Sequence, residues 1–205
     1  MKARSERPLR ELVDILQRAH AGELGAYLAY RGHARSLADP NEASEVLAIA
    51  GEEVDHRERV GRMLADLGKR PRPFREGLFY GIGFLLGGLC RFTGWLAPMY
   101  GAGLLERGNI EEYERAAGLA IVAGRFDFAP DLLRMAEAEW EHERYFRAKV
   151  LSRVSFLPLW TAPPPRESIK PTLPRSFTRR ARARSSHLEP DPSALLPASW
   201  RGTAR

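Results

Sequence analysis

Four stretches of this chain repeat apolar residues at helical spacing, and each is interrupted at its middle by a carboxylate on the apolar face. The first stripe reads Leu9, Leu12, Val13, Leu16, Ala19, Ala26, Tyr27 and Tyr30, with Glu23 standing in the gap. The second runs Val46, Ile49, Ala50, Val60, Met63, Leu64 and Leu67 around Glu53 and His56. The third places Glu106 between Ala102 and Ile110 and continues through Tyr113, Ala117 and Ala120. The fourth holds Glu139 and His142 between Leu132, Met135 and Ala136 on one side and Phe146 and Val150 on the other. In order, four helices offer Glu, Glu-x-x-His, Glu and Glu-x-x-His.

That pattern restricts the fold severely. An ionised carboxylate buried alone costs several kcal/mol, so four converging in one core require cations. A Glu and a His three residues apart lie on neighbouring turns of one helix face and reach the same point. The set matches the four-helix di-metal carboxylate site, with a Glu from each of two helices and Glu-x-x-His from the other two. Carboxylate and imidazole suit iron or manganese, with zinc left open. Two divalent irons would neutralise all four carboxylates. If the stripes were misphased by one residue, the glutamates would instead face solvent. Glu52, Glu111, Glu112, Glu137, Glu141 and Glu143 mostly fall off the stripes and read as solvated.

Local signals bound the helices. Pro8 stands at a first helical position, Asp39-Pro40 ends one segment and caps the next, and Gly68 and Gly124 are terminators. A cap at Asp127, followed by Pro130, opens the fourth helix. Residues 77–105 carry a single charge, Arg91, with eight glycines and several aromatics. They read as an extra apolar helix, a break near Arg91–Gly94 and a new helix near Pro98. Arg70, Arg72, Arg75 and Arg91 flank this stretch, as expected of an element meeting anionic headgroups. From Leu157 the pattern collapses. Eight of the 15 prolines and the run Arg179–Arg184 lie in residues 161–205, which predicts a disordered tail. The expected organisation is a helical domain over 1–158 and a Pro/Arg-rich tail over 159–205.

Composition excludes several functions. The net charge of +6 sits in the tail: residues 161–205 hold nine Lys/Arg against three Asp/Glu, whereas residues 1–160 hold 23 of each. A nucleic-acid-binding body is therefore not expected. One cysteine, Cys90, rules out an internal disulfide and Cys-built metal sites. No apolar signal region follows the basic N-terminus, and the uncharged run Gly77–Cys90 is too short to span a bilayer. The expected location is cytoplasmic, with peripheral contact at the inner face of the cell membrane.

Several motifs carry a family resemblance. His20-Ala21-Gly22-Glu23-Leu24-Gly25-Ala26 resembles the HAGE-x-GA signature of the demethoxyubiquinone hydroxylase family. Glu53-Val54-Asp55-His56, Leu67-Gly68-Lys69-Arg70-Pro71 with Gly83-Phe84-Leu85-Leu86-Gly87, Glu106 with Tyr113, and Glu139-Trp140-Glu141-His142 are similar to its further motifs. The resemblance covers residues 10–147. It departs at Glu112, where the family commonly has His, and at the Pro-rich end of the chain.

The resemblance implies an all-α, ferritin-like four-helix bundle with an extra apolar helix between the second and third ligand helices. It implies an O2-dependent di-iron monooxygenase that hydroxylates the ring of a demethoxyquinol. Glu23, Glu53, His56, Glu106, Glu139 and His142 would hold two irons, with Glu53 or Glu139 bridging. Tyr113 would serve electron or proton delivery, and His20 would pack behind the ligands. The implied partners are a prenylated quinol, O2, an external electron donor and a membrane surface, with a homo-oligomer left open. A rubrerythrin-like peroxidase, a ferritin-like iron-handling protein and a non-catalytic di-metal accessory protein are the alternatives. The single cysteine speaks against the first, and the near-uncharged stretch against the second.

Overall fold

A computed structural model describes residues 2–154 and 161–173. The chain is all-helical there: α1 (Lys2–Ser36), α2 (Pro40–Asp66), α3 (Pro73–Leu89), α4 (Leu96–Val122) and α5 (Ala129–Arg153), followed by a 3-10 turn at Arg166–Ser168. Asp39 caps α2, its carboxylate accepting from the Asn41 N–H at 2.9 Å. Gly68 and Gly124 take positive φ just past the ends of α2 and α4, and Gly94 does so in the turn that leads into α4.

Two boundaries differ from expectation. α1 begins at Lys2, so Pro8 lies inside the helix; one missing hydrogen bond near a free helix end is readily replaced by water. Asp127 does not cap α5. Phe128 occupies that position, and Asp127 is drawn instead to Arg125 at 2.7 Å.

Two apolar clusters sit at opposite ends of the bundle. One gathers Leu12, Leu16, Leu64, Leu119, Leu132 and Met135. The other gathers Tyr30, Val46, Ile49, Met99, Phe146 and Val150. Each fully buried Leu or Phe contributes about 1.5–3 kcal/mol. Following α1 from its start leads from the first cluster to the second, α2 leads back, α4 also leads back, and α5 returns. Because α2 and α4 run the same way, the connection between them must climb the length of the bundle, as in ferritin-like bundles with one long crossover. α3 is that crossover. Its 17 residues span about 25 Å.

α3 packs against α1 and runs parallel to it. The approach is backbone to backbone: a Cβ built on Gly87 would lie 2.8 Å from the Leu28 carbonyl oxygen and 3.2 Å from Gly32 Cα. Its outer face stays apolar, with Phe84 and Leu85 exposed, as is Phe92 in the turn beyond. No helix among the described residues is long and apolar enough to cross a membrane.

The expected disordered tail contains a docked piece. Within residues 161–173, the Thr172 N–H donates to the Glu114 carbonyl at 2.9 Å, and Trp140 Nε1 donates to the Pro164 carbonyl at 2.8 Å. Arg166 pairs with Glu137 and Glu141 at 2.9 and 3.1 Å. Prolines hold this strap extended at low entropic cost, and α4 and α5 offer it polar partners. Residues 155–160 and 174–205, with the rest of the tail, lie outside the described residues.

Candidate metal centre

Between the two apolar clusters lies one polar layer. The stripes place Glu23 on α1, Glu53 and His56 on α2, Glu106 on α4, and Glu139 and His142 on α5 in it. Glu53, Glu106 and Glu139 are 0% exposed, and the other three are buried. The ligand-type atoms of Glu23, Glu53, His56 and Glu139 all lie within 4.8 Å of one another, and so do those of Glu53, Glu106, Glu139 and His142. Glu53 and Glu139 belong to both groups.

The two groups are related by a pseudo-twofold that exchanges α1–α2 with α4–α5. A tyrosine follows seven residues after Glu23 (Tyr30) and seven after Glu106 (Tyr113). The pair is exchanged across the bundle: the Tyr30 hydroxyl donates to Glu106, and the Tyr113 hydroxyl donates to Glu23. Burial pushes both phenols well above their ordinary range, as do the carboxylates they face, so both keep their protons as donors.

The symmetry fails at one histidine. His142 Nε2 meets Glu52 Oε2 at 3.1 Å, which turns Nδ1 inward. Ala138 stands at the twofold-equivalent position, so no matching carboxylate serves His56. Nδ1 of His56 lies 3.1 Å from Glu139 Oε1, and Nδ1 of His142 lies 3.4 Å from Glu53 Oε1. Neither contact has hydrogen-bond geometry. Both oxygens of Glu53, both of Glu139 and both Nδ1 atoms are buried without a hydrogen-bond partner.

The electrostatics divide the carboxylates. Burial raises Glu23 and Glu106 well above the carboxylate range, and repulsion from Glu53 and Glu139 adds to it. Burial also penalises Glu53 and Glu139, but the facing histidines overcome it and hold both below the usual range. Burial alone would depress His56; Glu139 and Glu53 push it up to about 9. A layer that must hold protons on two carboxylates and on imidazole to offset its charge, with buried ligand-type atoms left without hydrogen-bond partners, fits divalent cations.

All six ligand-type residues singled out in the sequence are brought together, and Tyr113 reaches the layer. His20 stands behind it: its Nδ1 meets Glu76 Oε1 at 2.8 Å, while Arg57 pairs with Glu76 at 2.6 Å and donates to the His20 carbonyl. Glu76 thereby pins α3 to α1 and α2.

Three residues escaped the sequence reading. Glu52 sits off the stripe yet orients His142. Tyr30 looked like core, although the equal seven-residue spacings could have revealed it. Glu143, expected in solvent, is fully buried against Arg147 at 2.9 Å. A cleft of about 570 Å³ between α1, α4 and the strap is lined by none of the six.

The family model described as "Ubiquinone biosynthesis protein COQ7" matches residues 10–112, which include Glu23, Glu53, His56 and Glu106. The chain is 35% identical over 92 residues to a 3-demethoxyubiquinol 3-hydroxylase of Bordetella parapertussis, covering 45% of this chain and 41% of the relative. A protein of the same name from Bordetella petrii is 34% identical over 90 residues, 44% of this chain and 40% of the relative. The match thus spans less than half the length of these curated relatives. No solved structure matches the chain.

Proposed function

The chain belongs to the COQ7 family of ubiquinone biosynthesis proteins, and from that premise we propose that it is an O2-dependent di-iron monooxygenase that hydroxylates the ring of a demethoxyquinol. The observation that carries the proposal is the buried layer of four glutamates and two histidines whose inward atoms lack hydrogen-bond partners.

Glu23, Glu53, His56 and Glu139 would hold one iron, and Glu53, Glu106, Glu139 and His142 the other, with Glu53 and Glu139 shared. When bound, the irons supply activation of O2 for insertion of one oxygen atom into a ring C–H bond. The chain's own residues prepare that chemistry. Tyr30 and Tyr113 hold Glu106 and Glu23 in place, and Tyr113 keeps a proton at its hydroxyl beside the reacting centre. Glu52 fixes the orientation of His142. The apolar clusters above and below exclude water, which strengthens every charge interaction in the layer. The outward face of α3 would meet the membrane on its cytoplasmic side, where a prenylated quinol is dissolved. Reducing equivalents would come from an external donor.

The test is a quinone profile, by mass spectrometry, of the source organism with this gene deleted. Build-up of a demethoxyquinone, reversed by the wild-type gene and not by Glu106→Ala, is the expected result. A profile unchanged by the deletion, in a genome with no second hydroxylase, refutes the assignment.

A further inference from the structure

α1 and α3 end side by side, and their last turns enclose a groove of about 400 Å³. Arg31 and Arg35 of α1 and Arg91 just beyond α3 line it, and no acidic residue does. Arg31 is braced within the protein: its Nη1 donates to the Tyr27 hydroxyl at 2.9 Å and its guanidinium lies 5.3 Å from that ring. Arg35 and Arg91 are exposed and make no ion pair with a described carboxylate.

Three other cations beside α3 are already engaged. Arg75 is 2.8 Å from Asp14, Arg72 reaches the same carboxylate at 4.0 Å, and Arg57 is held by Glu76. Arg70, ahead of α3, is exposed and makes no ion pair with a described carboxylate, but only at the C-terminal end of α3 do three arginines without such a pair line one groove. The groove itself is not polar. Leu28, Tyr80 and Phe84 wall it, and Gly32 and Gly87 leave its floor without side chains. It opens toward side chains that remain in water: Phe84 is 69% exposed, and Phe92, next to Arg91, is 82% exposed.

We propose that this groove binds the phosphate of an anionic glycerophospholipid, with the three guanidinium groups around the phosphate and an acyl chain along Phe84. Three neighbouring cations without counter-charges repel one another, and an anion relieves that cost. Arginine forks suit phosphate oxygens. A soluble phosphate would use the arginines alone and leave the aromatic wall in water, so the apolar continuity selects a lipid. Such a site orients α3 on the membrane by its C-terminal end. The inference rests on α3 being the lipid-facing helix and is independent of the metal centre.

Co-sedimentation of the full chain with vesicles at 0.15 M salt tests it. Phosphatidylcholine vesicles are compared with vesicles containing 30 mol% phosphatidylglycerol. Each arginine near an anionic surface contributes about fivefold in partitioning. R31Q/R35Q/R91Q should therefore lower binding to the anionic vesicles by about 100-fold and leave binding to phosphatidylcholine unchanged. R10Q/R62Q/R134Q, with the same loss of net charge elsewhere, should change binding less than about threefold, because distant charges are screened. Equal losses in the two triple variants, or no loss in the first, overturn the site. Dihexanoyl phosphatidylglycerol should bind wild-type protein more tightly than inorganic phosphate does; equal binding overturns the assignment to a lipid. If wild-type protein binds neither vesicle, the membrane role of α3 fails as well. Loss of charge selectivity alone removes only this site.

Discussion

Replacing Gly83 with Ala tests whether α3 is seated on α1 as tightly as its glycines indicate. A Cβ at Gly83 would lie 2.7 Å from Gly25 Cα and 2.8 Å from its carbonyl carbon, with the carbonyl oxygen nearer still. Carbon atoms prefer about 3.5–4.0 Å, so the helices must separate by about 1 Å. The obstacle is backbone on both sides, so no side chain can swing away. Overpacking of this kind costs about 3 kcal/mol at the upper end of its usual range, and better helix propensity returns about 1 kcal/mol. A net loss of about 2 kcal/mol lowers Tm by about 4–8 °C in a chain of this size.

Gly81→Ala supplies the contrast on the same helix. A Cβ there meets nothing within 4 Å, so propensity acts alone and Tm should rise by about 2–4 °C. Thermal unfolding of both variants by circular dichroism reads the difference directly. If Gly83→Ala is as stable as Gly81→Ala, the close packing of α3 on α1 is refuted. The clamp that Glu76 places on His20 and Arg57 would then be the main tie holding α3.

Four further outcomes follow from the geometry. Tyr30→Phe and Tyr113→Phe each remove the hydroxyl donor to one glutamate, so each should weaken iron retention against a chelator by about 10–100-fold, and to similar extents; a large effect of only one would refute the twofold pairing. Glu52→Gln should weaken it through His142, whereas Glu141→Gln, whose ion pairs among the described residues are with Arg144 and Arg166, should not. His33 is buried beside Phe146, and burial lowers its pKa to about 4, with Glu42 only partly opposing. The unfolded chain then binds a proton that the folded chain refuses between about pH 6.5 and 4. Stability should fall by about 3 kcal/mol as pH drops through that window, and urea titrations should show this component missing in His33→Leu. Finally, a Cβ at Gly118 would run into the Thr172 and Leu173 backbone. Gly118→Ala should therefore release the strap, read as faster tryptic cleavage at Arg166 with little change in Tm.

The gathering of four glutamates and two histidines in one buried layer was legible in the sequence because its signal is local. Helical periodicity fixes which residues share a face within one helix, and a carboxylate on an apolar face is costly wherever the helix packs. Glu23, Glu53, His56, Glu106, Glu139 and His142 therefore declared themselves before any helix was placed. So did the lone apolar helix, by its near absence of charge. Relations between helices are a different matter. The exchange of Tyr30 and Tyr113 across the bundle, the hold of Glu52 on His142 and the burial of Glu143 depend on the rotation and register of each helix against its neighbours. Periodicity leaves a helix free to turn by a residue; packing does not. The strap escaped because extended, proline-rich sequence has no periodic face; it is ordered by the polar groups it meets on α4 and α5 and by the core cluster on which Ile169 packs. The arginine groove escaped for the same reason. A sequence counts charges, but which of them already hold a partner is decided when α1 and α3 come together.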